Sequence, residues 1–226
     1  YSSNKYKSKL RNNKNYKFIK LDIIKKNKIK KLILKYKPKA IFNLAAETHV
    51  DRSIDGPEKF ISSNIYGTYS VLECLRYLKK KKANPKLIHV STDEVFGDIS
   101  KGRRSNEEDR YKPSSPYSAS KASADHLVQA YVRTYKVDAV ISNCCNNYGP
   151  YQFPEKLIPL MIINALTGKE LPVYGSGLNI RDWLYVDDHI DAILLVAEKG
   201  MPGQNYCIGG NNEKNNLDVV YKICNY

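Results

Sequence analysis

Short apolar runs alternate with stretches whose apolar residues recur at helical spacing as far as about residue 150. Lys17-Phe18-Ile19-Lys20-Leu21 reads as a short strand ending at Asp22. Ile23 to Tyr36 reads as a helix that Pro38 stops. Ala40-Ile41-Phe42-Asn43-Leu44 predicts a second strand running out into Ala45-Ala46-Glu47. Pro57 to Leu78 predicts a long helix with proline in its first turn. Lys86-Leu87-Ile88-His89-Val90 predicts a buried strand, Tyr117 to Tyr135 another long helix, and Ala139-Val140-Ile141 another strand. Strands that alternate with helices predict βαβ units, a parallel sheet and an α/β fold. Beyond residue 150, Pro154, Pro159 and Pro172, with Gly168, Gly175 and Gly177, break the pattern into short pieces. The expected division is a sheet domain over 1–150 and a smaller, loop-rich lobe over 151–226, with 175–200 returning in part to the sheet domain. Residues from Asn216 to Val220 read as a helix.

Composition changes this picture little. Apolar residues make up 42% of the chain, enough for a packed core. No apolar run is long enough to cross a membrane. Cys74, Cys144, Cys145, Cys207 and Cys224 are scattered and form no CxxC pair, which argues against a zinc site or disulfide framework and fits a reducing, cytoplasmic setting. The net charge of +14 raises nucleic-acid binding. Its lysines, however, crowd the first forty residues and Lys79 to Lys82 beside abundant Asn and Tyr, a bias that AT-rich codons explain. No helix-turn-helix or aromatic-basic interleave accompanies them, so no specific nucleic-acid partner is expected.

Two stretches carry chemistry. In His89-Val90-Ser91-Thr92-Asp93-Glu94 a strand runs out into four polar side chains, two of them adjacent acids. These read either as helix caps or as acid–base groups, and the two roles are compatible. In Tyr117-Ser118-Ala119-Ser120-Lys121, Tyr and Lys stand four apart and share a helix face. An ammonium beside a phenol favours the phenolate. Bringing a phenol from its usual pKa of about 10 to neutrality needs about 4 kcal/mol, more than one lysine supplies. A second positive group must help. His49 and His89 have no cluster of further ligands near them in sequence, so no metal site is expected.

Ser91-Thr92, followed some twenty-five residues later by Tyr117 and Lys121, resembles the extended short-chain dehydrogenase/reductases. Thr92-Asp93-Glu94 narrows the likeness to the dTDP-glucose 4,6-dehydratases. It extends through Leu44-Ala45-Ala46-Glu47-Thr48-His49-Val50-Asp51-Arg52-Ser53, Asn64-Ile65-Tyr66-Gly67-Thr68, the run Asn143 to Pro159, Arg181-Asp182-Trp183-Leu184-Tyr185-Val186 and Asn211 to Leu217. The resemblance implies a Rossmann-like, doubly wound parallel sheet with a smaller substrate lobe, tightly held NAD and a nucleotide-sugar substrate. A dinucleotide-binding fold opens with a strand and a Gly-rich turn. Neither stands here, so the chain reads as a fragment lacking its first βαβ unit and a C-terminal tail.

The same resemblance implies the site. Thr92, Tyr117 and Lys121 would serve hydride transfer at the sugar's C4. Glu94 would be the base at C5 and Asp93 the acid at C6, although the residues alone permit the opposite assignment. Two close carboxyls in a dry site tend to divide into one acid and one base. Asp22, Ile23, Leu44, Ala45, Ala46, Glu47, Thr48, Ser63 and Asn147 would join Tyr117 and Lys121 around NAD. Thr48, Thr92, Asn146, Lys156, Leu157, Pro172, Val173, Tyr174, Arg181 and Asn216 would meet the substrate, with Arg181 on the diphosphate. The implied activity is NAD-dependent dehydration of dTDP-glucose to the 4-keto-6-deoxy sugar by a cytoplasmic homodimer joined through the two long helices. Dehydration of UDP-glucose, an epimerase and an inactive Rossmann-like fragment are the alternatives.

Overall fold

The structure, a computed structural model, describes residues 13–100, 102–173 and 175–226. In chain order its strands are β1 (Ala40–Asn43), β2 (Lys86–Thr92), β3 (Ala139–Cys144), β4 (Asn146–Tyr148), β5 (Ile180–Tyr185), β6 (Asn205–Ile208) and β7 (Glu213–Asn215). Its helices are α1 (Lys26–Tyr36), α2 (Val50–Asp55), α3 (Glu58–Phe60), α4 (Gly67–Lys80), α5 (Pro116–Tyr135), α6 (Leu157–Leu166), α7 (Val186–Lys199) and α8 (Asn216–Cys224). They fall into two compact units. One comprises Leu21–Cys144 and Ile190–Ile208, the other Cys145–His189 and Gly209–Tyr226 with residues 13–20.

The larger unit is built on a four-stranded sheet of order β1-β2-β3-β6, parallel throughout. Successive residues of a strand face opposite sides, and the core follows that alternation. Leu87, Ala139 and Ile141 pack on Val71, Leu72 and Leu75 of α4 and Val128 of α5. Ile88 and Val140 point the other way, onto Val196 of α7. Helices therefore cover both faces, the doubly wound α/β class expected from the sequence. All six residues of β3 are buried, as a central parallel strand requires.

Local differences from the sequence pattern have physical causes. Residues 17–21 are not a strand, because among the described residues none offers them a ladder partner. Helix α1 starts three residues later than its apolar spacing suggests. Asp22 forms an Asx turn, its Oδ1 accepting from Ile24 N at 3.1 Å. The expected helix from Pro57 to Leu78 is a continuous helical run, but a π-helical turn over Ile61–Tyr66 separates α3 from α4. Gly67 follows that turn, where a Cβ would stand 2.6 Å from Ile23 Cγ2. Strand β2 continues past Val90 to Thr92 because Ser91 and Thr92 pair with Asn143 and Cys144 of β3.

The smaller unit has a three-stranded sheet, β4-β5-β7, with β4 parallel and β7 antiparallel to β5. Met161, Trp183, Leu184, Val219 and Val220 are its buried residues from α6, β5 and α8.

One contact ties a helix end to the sheet of the larger unit. Lys86 Nζ, at the start of β2, donates to Ala197 O at 3.0 Å and Gly200 O at 2.8 Å, carbonyls left over at the C-terminus of α7. A cation there also meets the negative end of the helix. Lys86→Met keeps the stem and removes both bonds, and is expected to lower unfolding free energy by about 1–2 kcal/mol in urea titration.

Candidate active site

The sequence folds Tyr117 and Lys121 into place from the start of α5. Ser115 and Ser118 form a reciprocal capping box, with Pro116 at the first helical position. This fixes where the helix begins and puts Tyr117 in its first turn. Tyr117 N donates to Ser53 Oγ of α2 at 3.1 Å, and its ring meets Phe60 edge-on at 6.3 Å. One turn later Lys121 is 4% exposed, and its Nζ donates to Val90 O of β2 at 2.8 Å.

The carboxyl pair stands where β2 ends. Thr92, in extended conformation, caps a 3₁₀ turn over Asp93–Phe96, its Oγ1 accepting from Glu94 N at 3.2 Å. Thr92 Oγ1 also donates to Asp93 Oδ1 at 3.2 Å. The cap is therefore Thr92, and both acids lie in the first turn, where the helix dipole favours negative charge. Gly97 closes the turn at φ 73°, where a Cβ would stand 2.0 Å from Lys112 O. That backbone position admits no side chain, so the placement of Glu94 is fixed from both ends.

Asn64 joins the next strand end to α5. From the π-helical turn it accepts Glu47 N at 2.8 Å, and it donates to Glu47 O at 3.0 Å and Ser120 Oγ at 2.9 Å. One buried amide thus holds the Leu44–Thr48 segment and the residue before Lys121 together. Ends of parallel strands lie on the sheet edge where open α/β sheets bind ligands.

Burial dominates the electrostatics. It pushes the Tyr117 phenol well above its ordinary range; Glu94 and Asp93 add to this, and the Thr92 hydrogen bond opposes it. Burial lowers Lys121, while Asp125 and Cys144 act against the fall. Of the three N–H groups on Lys121, Val90 O takes one. A buried cation with donors to spare fits the hydroxyls of a dinucleotide ribose.

The remaining predicted residues are spread over both units. In the larger, Leu44, Ala45 and Thr48 are exposed beyond β1, Ala46 and Glu47 half-buried, and Ser63 half-buried in the π-helical turn. Asp22 is exposed and Ile23 half-buried. In the smaller, Asn146 and Asn147 lie in β4, where Asn147 Nδ2 donates to Cys145 O at 3.1 Å. Lys156 and Leu157 start α6, and Asn216 starts α8. Pro172 and Val173 lie in a loop, and Tyr174 falls outside the described residues. Arg181 is exposed on β5 and donates to Ile180 O. Asp182 accepts the amides of Gly210 and Asn212, at 2.7 and 2.8 Å.

A family model described as GDP-mannose 4,6 dehydratase matches residues 2–226. The chain belongs to this family. Among relatives of this dehydratase-family chain, the dTDP-glucose 4,6-dehydratase of Salmonella typhimurium is 52% identical over 223 residues, covering 92% of this chain and 62% of that protein. The chain thus spans under two thirds of the length of the curated relatives it matches. A solved dTDP-glucose 4,6-dehydratase from Bacillus anthracis, in complex with NAD, is 47% identical with a TM-score of 0.86, covering 96% of this chain and 66% of that one. The double mutant of DesIV, a dTDP-glucose 4,6-dehydratase from Streptomyces venezuelae, also with NAD bound, is 40% identical with a TM-score of 0.90, covering 96% and 65%. The likeness to dTDP-glucose 4,6-dehydratases drawn from the motifs is thereby borne out.

Sequence reasoning passed over Ser53, Asn64, Ser120 and Asp125, and treated His89 only as a metal ligand to be dismissed. Asp125 carried a readable signal: it stands four residues after Lys121 and eight after Tyr117, on the same helix face. It is fully buried, and its Oδ2 accepts from Ser91 Oγ at 2.8 Å, Tyr111 OH at 3.1 Å and Asn143 Nδ2 at 3.2 Å. His89 Nδ1 faces the Asn43 amide nitrogen at 3.1 Å and so accepts; the ring proton then sits on Nε2, 3.4 Å from Asp125 Oδ1. That separation is long for a hydrogen bond, so the contact is mainly electrostatic.

Burial, reinforced by the nearby charge of Lys121, lowers the pKa of His89 below 6.5 against the opposing pull of Asp125. The unfolded chain therefore takes up this proton first as pH falls, and stability drops from about pH 6.5 downwards until the folded ring titrates. His89→Gln removes that step. Its melting temperature is expected to fall less steeply than the wild type's between about pH 7 and about pH 5.

Proposed function

We propose that the protein to which this chain belongs dehydrates dTDP-glucose to dTDP-4-keto-6-deoxy-glucose, with NAD bound to the larger unit. One observation carries the reading: Thr92, Asp93 and Glu94 leave the end of β2 as a capped turn whose groups act electrostatically on the Tyr117 phenol, one helical turn from buried Lys121. An epimerase has no use for the two acids. The relatives named above support the choice of substrate.

When bound, NAD supplies a hydride acceptor for C4 and afterwards a hydride donor for C6. The chain's own residues manage the protons. The Thr92 hydroxyl orients the C4 hydroxyl, and Tyr117, as phenolate, takes its proton. In the protein alone burial raises the Tyr117 phenol, and bound NAD would supply positive charge that favours the phenolate. Lys121 contributes its charge and holds the ribose. The C4 ketone acidifies the C5 proton, which Glu94 removes. Asp93 protonates the departing C6 hydroxyl, water leaves, and Glu94 returns its proton to C5 as C6 is reduced. Asp22, Ile23, Leu44 to Thr48 and Ser63 of the larger unit would line the NAD. Asn146, Lys156, Leu157, Pro172, Val173 and Asn216 take the sugar nucleotide, and exposed Arg181 its diphosphate.

A homodimer and a cytoplasmic setting belong to the same reading. Ile61, Tyr66 and Tyr135 are exposed on the long helical runs, as a helix-to-helix interface needs. The described cysteines form no disulfide, which fits a reducing compartment.

The test is turnover of dTDP-glucose by the full-length protein, read as the 4-keto product absorbing in alkali. Glu94→Gln is expected to lose about 10²–10⁴-fold in dehydration while still oxidising C4, seen as transient NADH absorbance. Wild-type turnover in Glu94→Gln would refute the assignment of the base. Faster turnover of UDP-glucose than of dTDP-glucose would refute the substrate.

A further inference from the structure

The larger unit buries an ion that the proton steps above never use. Asp125 is fully buried, yet three donors converge on its Oδ2, and His89 Nε2 stands 3.4 Å from its Oδ1. Ser91 and His89 come from β2, Asn143 from β3, and Tyr111 from the segment before α5. Charge-assisted hydrogen bonds are the strong ones, and three of them reach the single oxygen Oδ2. Burying such a charge is unfavourable unless an opposite charge shares the site. The opposite charge is Lys121, one turn earlier on the same helix and itself almost without solvent. No ion pair within 4 Å joins the two among the described residues. Lys121 instead donates to Val90 O, at 2.8 Å.

We propose that Asp125 is a positioning residue for Lys121: a buried counter-ion that holds the ammonium charged while leaving its donors available to the site. Direct pairing would occupy those donors, whereas a carboxylate whose Oδ2 is taken by Ser91, Tyr111 and Asn143 acts through its field. Neutral His89 is part of the device, because a second cation beside Asp125 would cancel the field at Lys121. The charges bearing on Lys121 among the described residues are Asp125 on its own helix and Cys144 on β3. Those bearing on neighbouring Tyr117 are Glu94 and Asp93 from the 3₁₀ turn and Cys144 from β3. Asp125 is thus the acidic side chain placed to act on Lys121 rather than on the phenol.

This inference rests on the proposed role of Lys121, but its test needs neither substrate nor NAD, so its failure and that of the reaction are separable. In the full chain labelled with ¹⁵N-lysine, the Lys121 Nζ signal is assigned by its loss in Lys121→Met and followed against pH. Asp125→Asn keeps the shape and removes the charge. It is expected to lower the Lys121 midpoint by about one pH unit or more. Tyr111→Phe removes one donor but not the charge, and is expected to leave the midpoint unchanged. An unmoved midpoint in Asp125→Asn, or an equal shift in both variants, overturns the proposal. Thermal unfolding gives the second readout, useful if Asp125→Asn folds poorly. An unpaired buried ammonium is the defect in that variant, so Lys121→Met/Asp125→Asn is expected to melt above Asp125→Asn. A double variant that melts lower, by the sum of the two single losses, overturns it equally.

Discussion

The hydrogen bond from Lys121 Nζ to Val90 O fixes the distance between α5 and β2, and the rest of the larger unit is arranged around it. A buried ammonium must have a carbonyl acceptor and a nearby negative charge. The strand supplies the first and Asp125 the second. Once α5 is seated so, Tyr117 comes to the end of β2, Ser120 meets Asn64, and Asp125 meets Ser91. Apolar packing of Val128 against Leu87 and Ile141 supplies most of the adhesion, but it would tolerate a shift along the groove. The directional bonds admit one register.

The same seating explains how caps and catalysts coincide in Asp93 and Glu94. Thr92 takes over the capping, and both carboxyls lie in the first turn of the 3₁₀ helix with their backbone held. Gly97 ends the turn against Lys112 O, so the backbone of the turn is braced at both ends. Rigid backbone behind a reactive side chain is what preorganisation requires.

Burial sets the charges of the site in opposition. It raises the Tyr117 phenol and lowers the Lys121 ammonium, and each shift by itself works against proton abstraction. Asp125 and Cys144 counter the second shift. The Thr92 hydrogen bond opposes the first.

The sequence by itself determined the fold class, because parallel strands buried on both faces read as apolar runs and their crossover helices as amphipathic periods. It also determined the Tyr117–Lys121 face and the pair of acids at the end of β2, since helical spacing and a strand's end are local properties. Residues 17–21 looked like a strand in the same local terms, but a strand exists only with a neighbour to pair with. The π-helical turn was invisible for a related reason. Its apolar spacing reads as ordinary helix, and only the clamp of Asn64 on Glu47 and Ser120, residues far apart in the chain, gives the extra residue its purpose. Ser53, His89 and Asp125 likewise look unremarkable in the sequence. Their roles arise when α2, β2, β3 and α5 close around one ammonium, because hydrogen bonds and charge act through space, and only the tertiary structure decides which polar side chains share a dry interior.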